Sequence, residues 1–188
     1  MFERFTRDAR EVVRGAVEHC SRAGSPSVGP EHLLQALLDR EGSRASFALA
    51  ALGLAERRES VRAALAEARR RAGLSRAEAD ALAGLGIDVA EIVSRVEEVH
   101  GAGAMSGDGE ERGRWPGRGP RFGRGTKDVL EQSLRVALAH RDRHIGDEHL
   151  LLALTALRGV TAEVLADHGV TYASVTRVLY GAGQAKAG

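Results

Sequence analysis

Val28-Gly29-Pro30-Glu31-His32-Leu33-Leu34 has a near copy in Ile145-Gly146-Asp147-Glu148-His149-Leu150-Leu151, 117 residues further on. The same offset carries Phe5 onto Phe122, Arg4 onto Arg121 and Val12 onto Val129. Self-similarity at a fixed spacing marks a duplicated unit and changes the fold expectation for the whole chain. It also places a Glu-His pair at two equivalent points, so any surface built on that pair exists in two versions.

Working outward from these heptads, helical periodicity dominates. Ala9, Val12, Val13, Ala16, Val17 and Cys20 recur at three and four residues, one face of a helix, with Thr6 before them as N-cap and Gly24 after them as a stop. Pro30 suits a first helical turn, and Leu33, Leu34, Leu37 and Leu38 form the next apolar face. Short helices are expected over residues 43–52 and 56–71. In the second copy, Val129, Leu130, Ser133, Leu134, Ala137 and Leu138 mirror the first helix, and residues 148–157 mirror the second. Residues 161–168 and 171–180 complete four helices, with the copies slipping one residue out of register between Gly53 and Gly169. The fold expected is all-α, a pseudo-twofold duplication of a four-helix unit. Residues 1–71 form the first repeat, 72–120 an inserted helical segment and linker, and 121–182 the second repeat. Residues 101–125 hold nine glycines and five arginines and read as a flexible linker. No β-pattern stands out.

The totals narrow the function classes. The chain has 188 residues, 43% hydrophobic but only 4% aromatic, so small aliphatic side chains fill the interior. A net charge of +1 gives no global field selecting nucleic acid or membrane. The single cysteine, Cys20, has no internal disulfide partner, which suits a reducing cytoplasm. Its place on an apolar stripe suits a buried, inert thiol. The N-terminus lacks the apolar run of a signal peptide, and no stretch approaches a membrane span.

Together the duplicated Gly-x-Glu-His-Leu-Leu signature and the opening Arg4-Phe5-Thr6 resemble the N-terminal domain of the Clp unfoldases, especially the ClpC type. The resemblance covers nearly the whole chain apart from residues 72–120. It implies two repeats of a four-helix unit and a place in protein recognition within the Clp proteolysis system. Clp unfoldases continue into ATPase modules, whereas no G-x-x-x-x-G-K-[ST] loop occurs here: Gly125-Thr126-Lys127 has the letters in the wrong order. The expectation is a stand-alone domain without the motor, acting as adaptor or decoy. Its partners would be phosphoarginine-marked proteins, Clp adaptors and a ClpC-type unfoldase, with no cofactor and no enzymatic activity.

The resemblance also implies site residues. The family's glutamates matching Glu31 and Glu148 help to bind phosphoarginine. A carboxylate can grip a guanidinium in a fork, while helix N-terminal amides, the Thr6 hydroxyl and a cation such as Arg4 hold the phosphate. Thr6 is expected beside Glu31, and Gly123, its counterpart, beside Glu148. The competing reading of each glutamate is an acid complementing a helix dipole. His32 and His149 read as capping or packing residues. His140, His144 and His149 raise a metal alternative that a helix break near Ile145-Gly146 weakens. Arg112, Arg114, Arg118, Arg121 and Arg124, interleaved with Trp115 and Phe122, raise an alternative function in nucleic-acid binding through the linker.

Overall fold

The computed structural model describes residues 3–71, 74, 76–100 and 120–181. The first repeat holds α1 (Arg7–Arg22), α2 (Pro30–Asp39), α3 (Arg44–Ala51) and, after a 3₁₀ turn at Ala55–Arg57, α4 (Arg58–Arg70). Two helices follow, α5 (Arg76–Gly84) and α6 (Val89–His100). The second repeat holds α7 (Arg124–Ala139), α8 (Asp147–Ala156), α9 (Val160–Asp167) and α10 (Tyr172–Tyr180). None of the described helices alone is long and apolar enough to cross a membrane.

Local chemistry sets these boundaries. The Thr6 hydroxyl accepts the Ala9 N–H at 3.2 Å and opens α1; Ser43 and Thr171 cap α3 and α10 in the same way. Pro30 occupies the first turn of α2, where its missing N–H costs nothing. Gly24, at φ 64°, reverses the chain after α1. At the equivalent point after α7 the chain has Arg141, at φ 60°, a left-handed backbone that a side chain adopts only at a cost. The duplication is therefore truer in backbone than in sequence.

Two short pairings interlock the repeats. Phe5 bridges Ile145 in parallel, with Thr6 N–H on the Ile145 carbonyl at 2.9 Å and Ile145 N–H on the Arg4 carbonyl at 2.8 Å. Strand β1 (Ser27–Val28) runs parallel to β2 (Arg121–Phe122), and Gly123 N–H donates to Val28 at 3.0 Å. Phe5 matches Phe122 and Val28 matches Ile145, so each repeat lends its opening residue to the other's second helix. Strands this short leave no alternating pattern to read, which is why the sequence shows no β signal. They also correct the linker boundary. Arg121, Phe122 and Arg124 belong to β2 and the start of α7, whereas Arg112, Arg114, Trp115 and Arg118 lie outside the described residues.

One apolar core runs through both repeats. Helix α8 sits at its centre, packed on α1, α2, α3, α7, α9 and α10. Every residue from Asp147 to Leu154 is buried. Its copy α2 leaves Glu31 and Asp39 at the surface. Helices α5 and α6 form a hairpin laid against α4 through Val93.

Candidate functional site

The duplicated signature owes its residue types to the start of a helix. At α2 and α8 the residue before the helix is glycine, and its N–H donates to the Nδ1 of the histidine three residues on, at 2.9 Å in both copies. This is half of a capping box, with His in place of the usual Glu or Gln. Glycine leaves room for the glutamate two residues on, which folds back over it. A Cβ on Gly29 would stand 2.3 Å from Glu31 Oε1, and one on Gly146 would stand 2.0 Å from Glu148 Oε2. Accepting through Nδ1 leaves the proton of the neutral ring on Nε2. Burial holds both His32 and His149 below the usual imidazole range, consistent with rings that stay neutral. The capping reading of the histidines is thus what the structure contains.

The two glutamates part company. Glu31 has a side chain 45% exposed, with His32 Nδ1 3.4 Å away. Glu148 has a side chain only 5% exposed, and Arg44 Nη1 of the other repeat donates to its Oε1 at 2.7 Å. Burial pushes the Glu148 carboxyl up to about 7, and Asp147 beside it adds to the rise while Arg44 opposes it. Arg44 is held from its far side too, with its guanidinium carbon 5.4 Å from the centroid of the Tyr180 ring. That ring stacks on His140 at 3.9 Å, and its hydroxyl donates to Asp142 Oδ2 at 3.3 Å. Asp142 Oδ2 also accepts from His149 Nε2 at 3.0 Å.

Of these groups Arg44, Asp142 and Glu148 line a hollow of about 220 Å³, together with Thr6, Asp8, Arg143, His144 and Asp147. The N-termini of three helices meet there: α1 brings Thr6 and Asp8, α3 brings Arg44, and α8 brings Asp147 and Glu148. Asp147 Oδ2 accepts the Ala45 N–H at 3.3 Å, tying the first turn of α3 to that of α8. Helix N-termini carry partial positive charge, so the hollow combines three such ends, cations and several carboxylates within one small volume.

Here the expected pairing of site residues is corrected. Thr6 lies with Glu148, and Gly123 lies on the Glu31 side, through its bond to Val28. The cause is the crosswise β-pairing: a sequence offset matches positions within each repeat, but the pseudo-twofold axis sets each position against the other repeat. Arg4 is bound through its carbonyl to Ile145, and its side chain is exposed and outside the hollow's lining. Arg44 and Arg143 are the cations that line it, with His144 beside them. Sequence reasoning missed Arg44 because its counterpart at the start of α9 is Val160, and it searched for repeated residues. The three histidines of the metal alternative are not brought together: His140 stacks on Tyr180, His144 lines the hollow and His149 caps α8. Asp142, Glu148 and His149 do each place one polar atom within 4.8 Å of the others. Both ring nitrogens of His149 and one oxygen of Glu148 already have hydrogen-bond partners.

The equivalent place on the other side has lost this chemistry. Thr6, Asp8 and Arg44 correspond to Gly123, Gly125 and Val160; Asp142, Arg143, His144 and Asp147 correspond to Ser25, Pro26, Ser27 and Pro30. Pro30 closes on Gly125, where a Cβ would meet its ring at 3.0 Å. Of the eight positions, Glu31 alone keeps its charge.

The Clp repeat (R) N-terminal domain family matches this chain over residues 4–73 and 121–186, one stretch in each repeat. The chain belongs to this family. Its fold is like that of the N-terminal domain of the caseinolytic protease associated chaperone ClpD from Arabidopsis thaliana, at 18% identity and a TM-score of 0.55, covering 98% of this chain and 97% of that one. A structure from investigations of a malarial protein secretion system is similar at 11% identity and a TM-score of 0.55, covering 98% of each chain. Clp repeat N-terminal domains are non-catalytic interaction domains, so membership makes this chain a recognition module of the Clp system.

Proposed function

We propose that this Clp repeat domain recognises proteins marked with phosphoarginine, and does so at one site, the hollow between α1, α3 and α8. The observation that carries the reading is the meeting of three helix N-termini with Arg44, Arg143, Asp147 and Glu148 around about 220 Å³. Phosphoarginine carries an anionic phosphoryl group on a guanidino group that still offers N–H donors. A site for it needs cations and N–H groups beside carboxylates, within one side chain's reach. The phosphoryl group would face Arg44, Arg143 and the helix ends; the guanidino nitrogens would face the carboxylates. Glu31, whose counterparts to Thr6 and Arg44 are Gly123 and Val160, has no comparable surroundings among the described residues, so the place around it is not a site of equal standing.

Isothermal titration with free phosphoarginine tests this. The expected result is one equivalent bound. Losing a charge-assisted hydrogen bond costs about 1.5–3 kcal/mol, so Arg44→Ala should weaken binding by roughly tenfold to a hundredfold. Glu31→Ala should leave binding unchanged. Two equal sites, or a larger loss at Glu31 than at Arg44, would overturn the assignment. In the cell-free system, excess domain should slow degradation of a phosphoarginine-marked client by a ClpC-type unfoldase and protease if it acts as a decoy. An adaptor would instead accelerate degradation at low concentration. A rate independent of domain concentration would remove both roles.

A further inference from the structure

We infer that the site has an apolar extension, a shelf on α3 centred on Phe47, and that it selects phosphoarginine-bearing segments with an apolar side chain two positions from the modified residue. This rests on the phosphoarginine reading and deepens it.

Arg44, Phe47, Ala50 and Ala51 all face outward on α3, at the three- and four-residue spacing of a single helical stripe. Phe47 is 62% exposed, an unusual place for the largest apolar side chain of its helix. Arg44 begins the stripe at the rim of the charged hollow, with half of its side chain open to solvent. Side chains three apart on a helix start about 5–6 Å from each other. In an extended peptide, residues two apart lie on the same face and about 6.6–6.8 Å from each other. A client chain laid across α3 with its phosphoarginine in the hollow therefore brings the side chain two residues away over Phe47.

The second repeat shows what this face is suited to. Helix α9 matches α3 with Glu163, Ala166 and Asp167 in place of Phe47, Ala50 and Ala51. There one residue of the chain reaches the face, which otherwise stays open, with Ala166 and Asp167 exposed. Arg76, at the start of α5, donates its backbone N–H to Glu163 Oε1 at 3.3 Å and Nη2 to Asp167 Oδ2 at 3.2 Å. The same helix face thus takes a contact from Arg76 of the chain in one repeat. In the other it is left open among the described residues, and its chemistry is changed from acidic to apolar. Its position beside the hollow assigns it to the client.

The test compares seven-residue peptides with central phosphoarginine and either leucine or glycine at the positions two before and two after it. Fluorescence anisotropy measures them on the full chain and on Phe47→Ser, with free phosphoarginine as a competitor. Leucine peptides should bind the native chain about tenfold more tightly than glycine peptides, the worth of partly burying one aliphatic side chain. Phe47→Ser should abolish that preference while leaving the affinity for free phosphoarginine unchanged. Equal binding of both peptides by a chain that does bind free phosphoarginine would refute the shelf and leave the charged site standing. No binding of free phosphoarginine at all would remove both.

Discussion

The burial of Glu148 makes a quantitative prediction about stability. In the folded chain its carboxyl is pushed up to about 7, chiefly by burial, against 4.5 as its ordinary value. Between those two pH values the native state holds a proton that the unfolded chain has released. The native state therefore binds more protons than the unfolded one, and stability falls as pH rises through this window. The penalty is absent below about 4.5 and complete above about 7. Each pH unit of separation is worth ~1.4 kcal/mol, so the whole effect is on the order of 3 kcal/mol. Glu148→Gln keeps the side chain's shape and removes the charge. Urea unfolding followed by circular dichroism at pH 5, 6, 7 and 8 should show the variant close to the native chain at pH 5 and progressively more stable than it toward pH 8. The neutral buried rings of His32 and His149 act in the opposite direction. Their folded values are lowered, so stability is lost as pH falls and the unfolded histidines take up protons. That loss is common to both proteins and cancels in the difference between them. A Glu148→Gln variant less stable than the native chain at pH 8 would refute the reasoning. It would mean that attraction to the half-exposed Arg44 outweighs the cost of burying the carboxylate.

Other substitutions probe the two copies against each other. Gly146→Ala pushes a methyl group into the buried, Arg44-bound carboxylate of Glu148 and should cost about 2–3 kcal/mol, whereas at Gly29 the exposed Glu31 can swing away and Ala should cost under about 1 kcal/mol. Thermal melts that rank the two the other way would contradict the account of the glycines. Arg141→Gly relieves the left-handed backbone and should raise stability by about 0.5–1 kcal/mol net of glycine's greater unfolded-state freedom, read as a higher Tm. The ring of His149 should titrate below the ordinary imidazole value by NMR, first because burial disfavours the charged ring and also because protonating Nδ1 breaks its bond to Gly146; a midpoint above the ordinary value would contradict the capping role.

The amino-acid sequence by itself determined the duplication, the helical content, the capping residues and the position of the repeated Glu-His pair. Each of these is local. Apolar spacing, an N-cap hydroxyl, a glycine stop and a first-turn proline act within a few residues of chain, and an offset of 117 makes two such sets recognisable as one. The sequence was silent on which glutamate is buried. Glu31 and Glu148 sit in nearly the same words, and their difference comes from what lies across the pseudo-twofold axis: Arg44 and Thr6 face Glu148, and the counterparts of those two residues in the second repeat are Val160 and Gly123. It was equally silent on Arg44 and Phe47, which have no repeated partner to mark them. Burial, ion pairing and the crosswise strands are properties of residues about a hundred positions apart brought into contact. No window along the chain contains both members of such a pair, so only the packed fold could decide them.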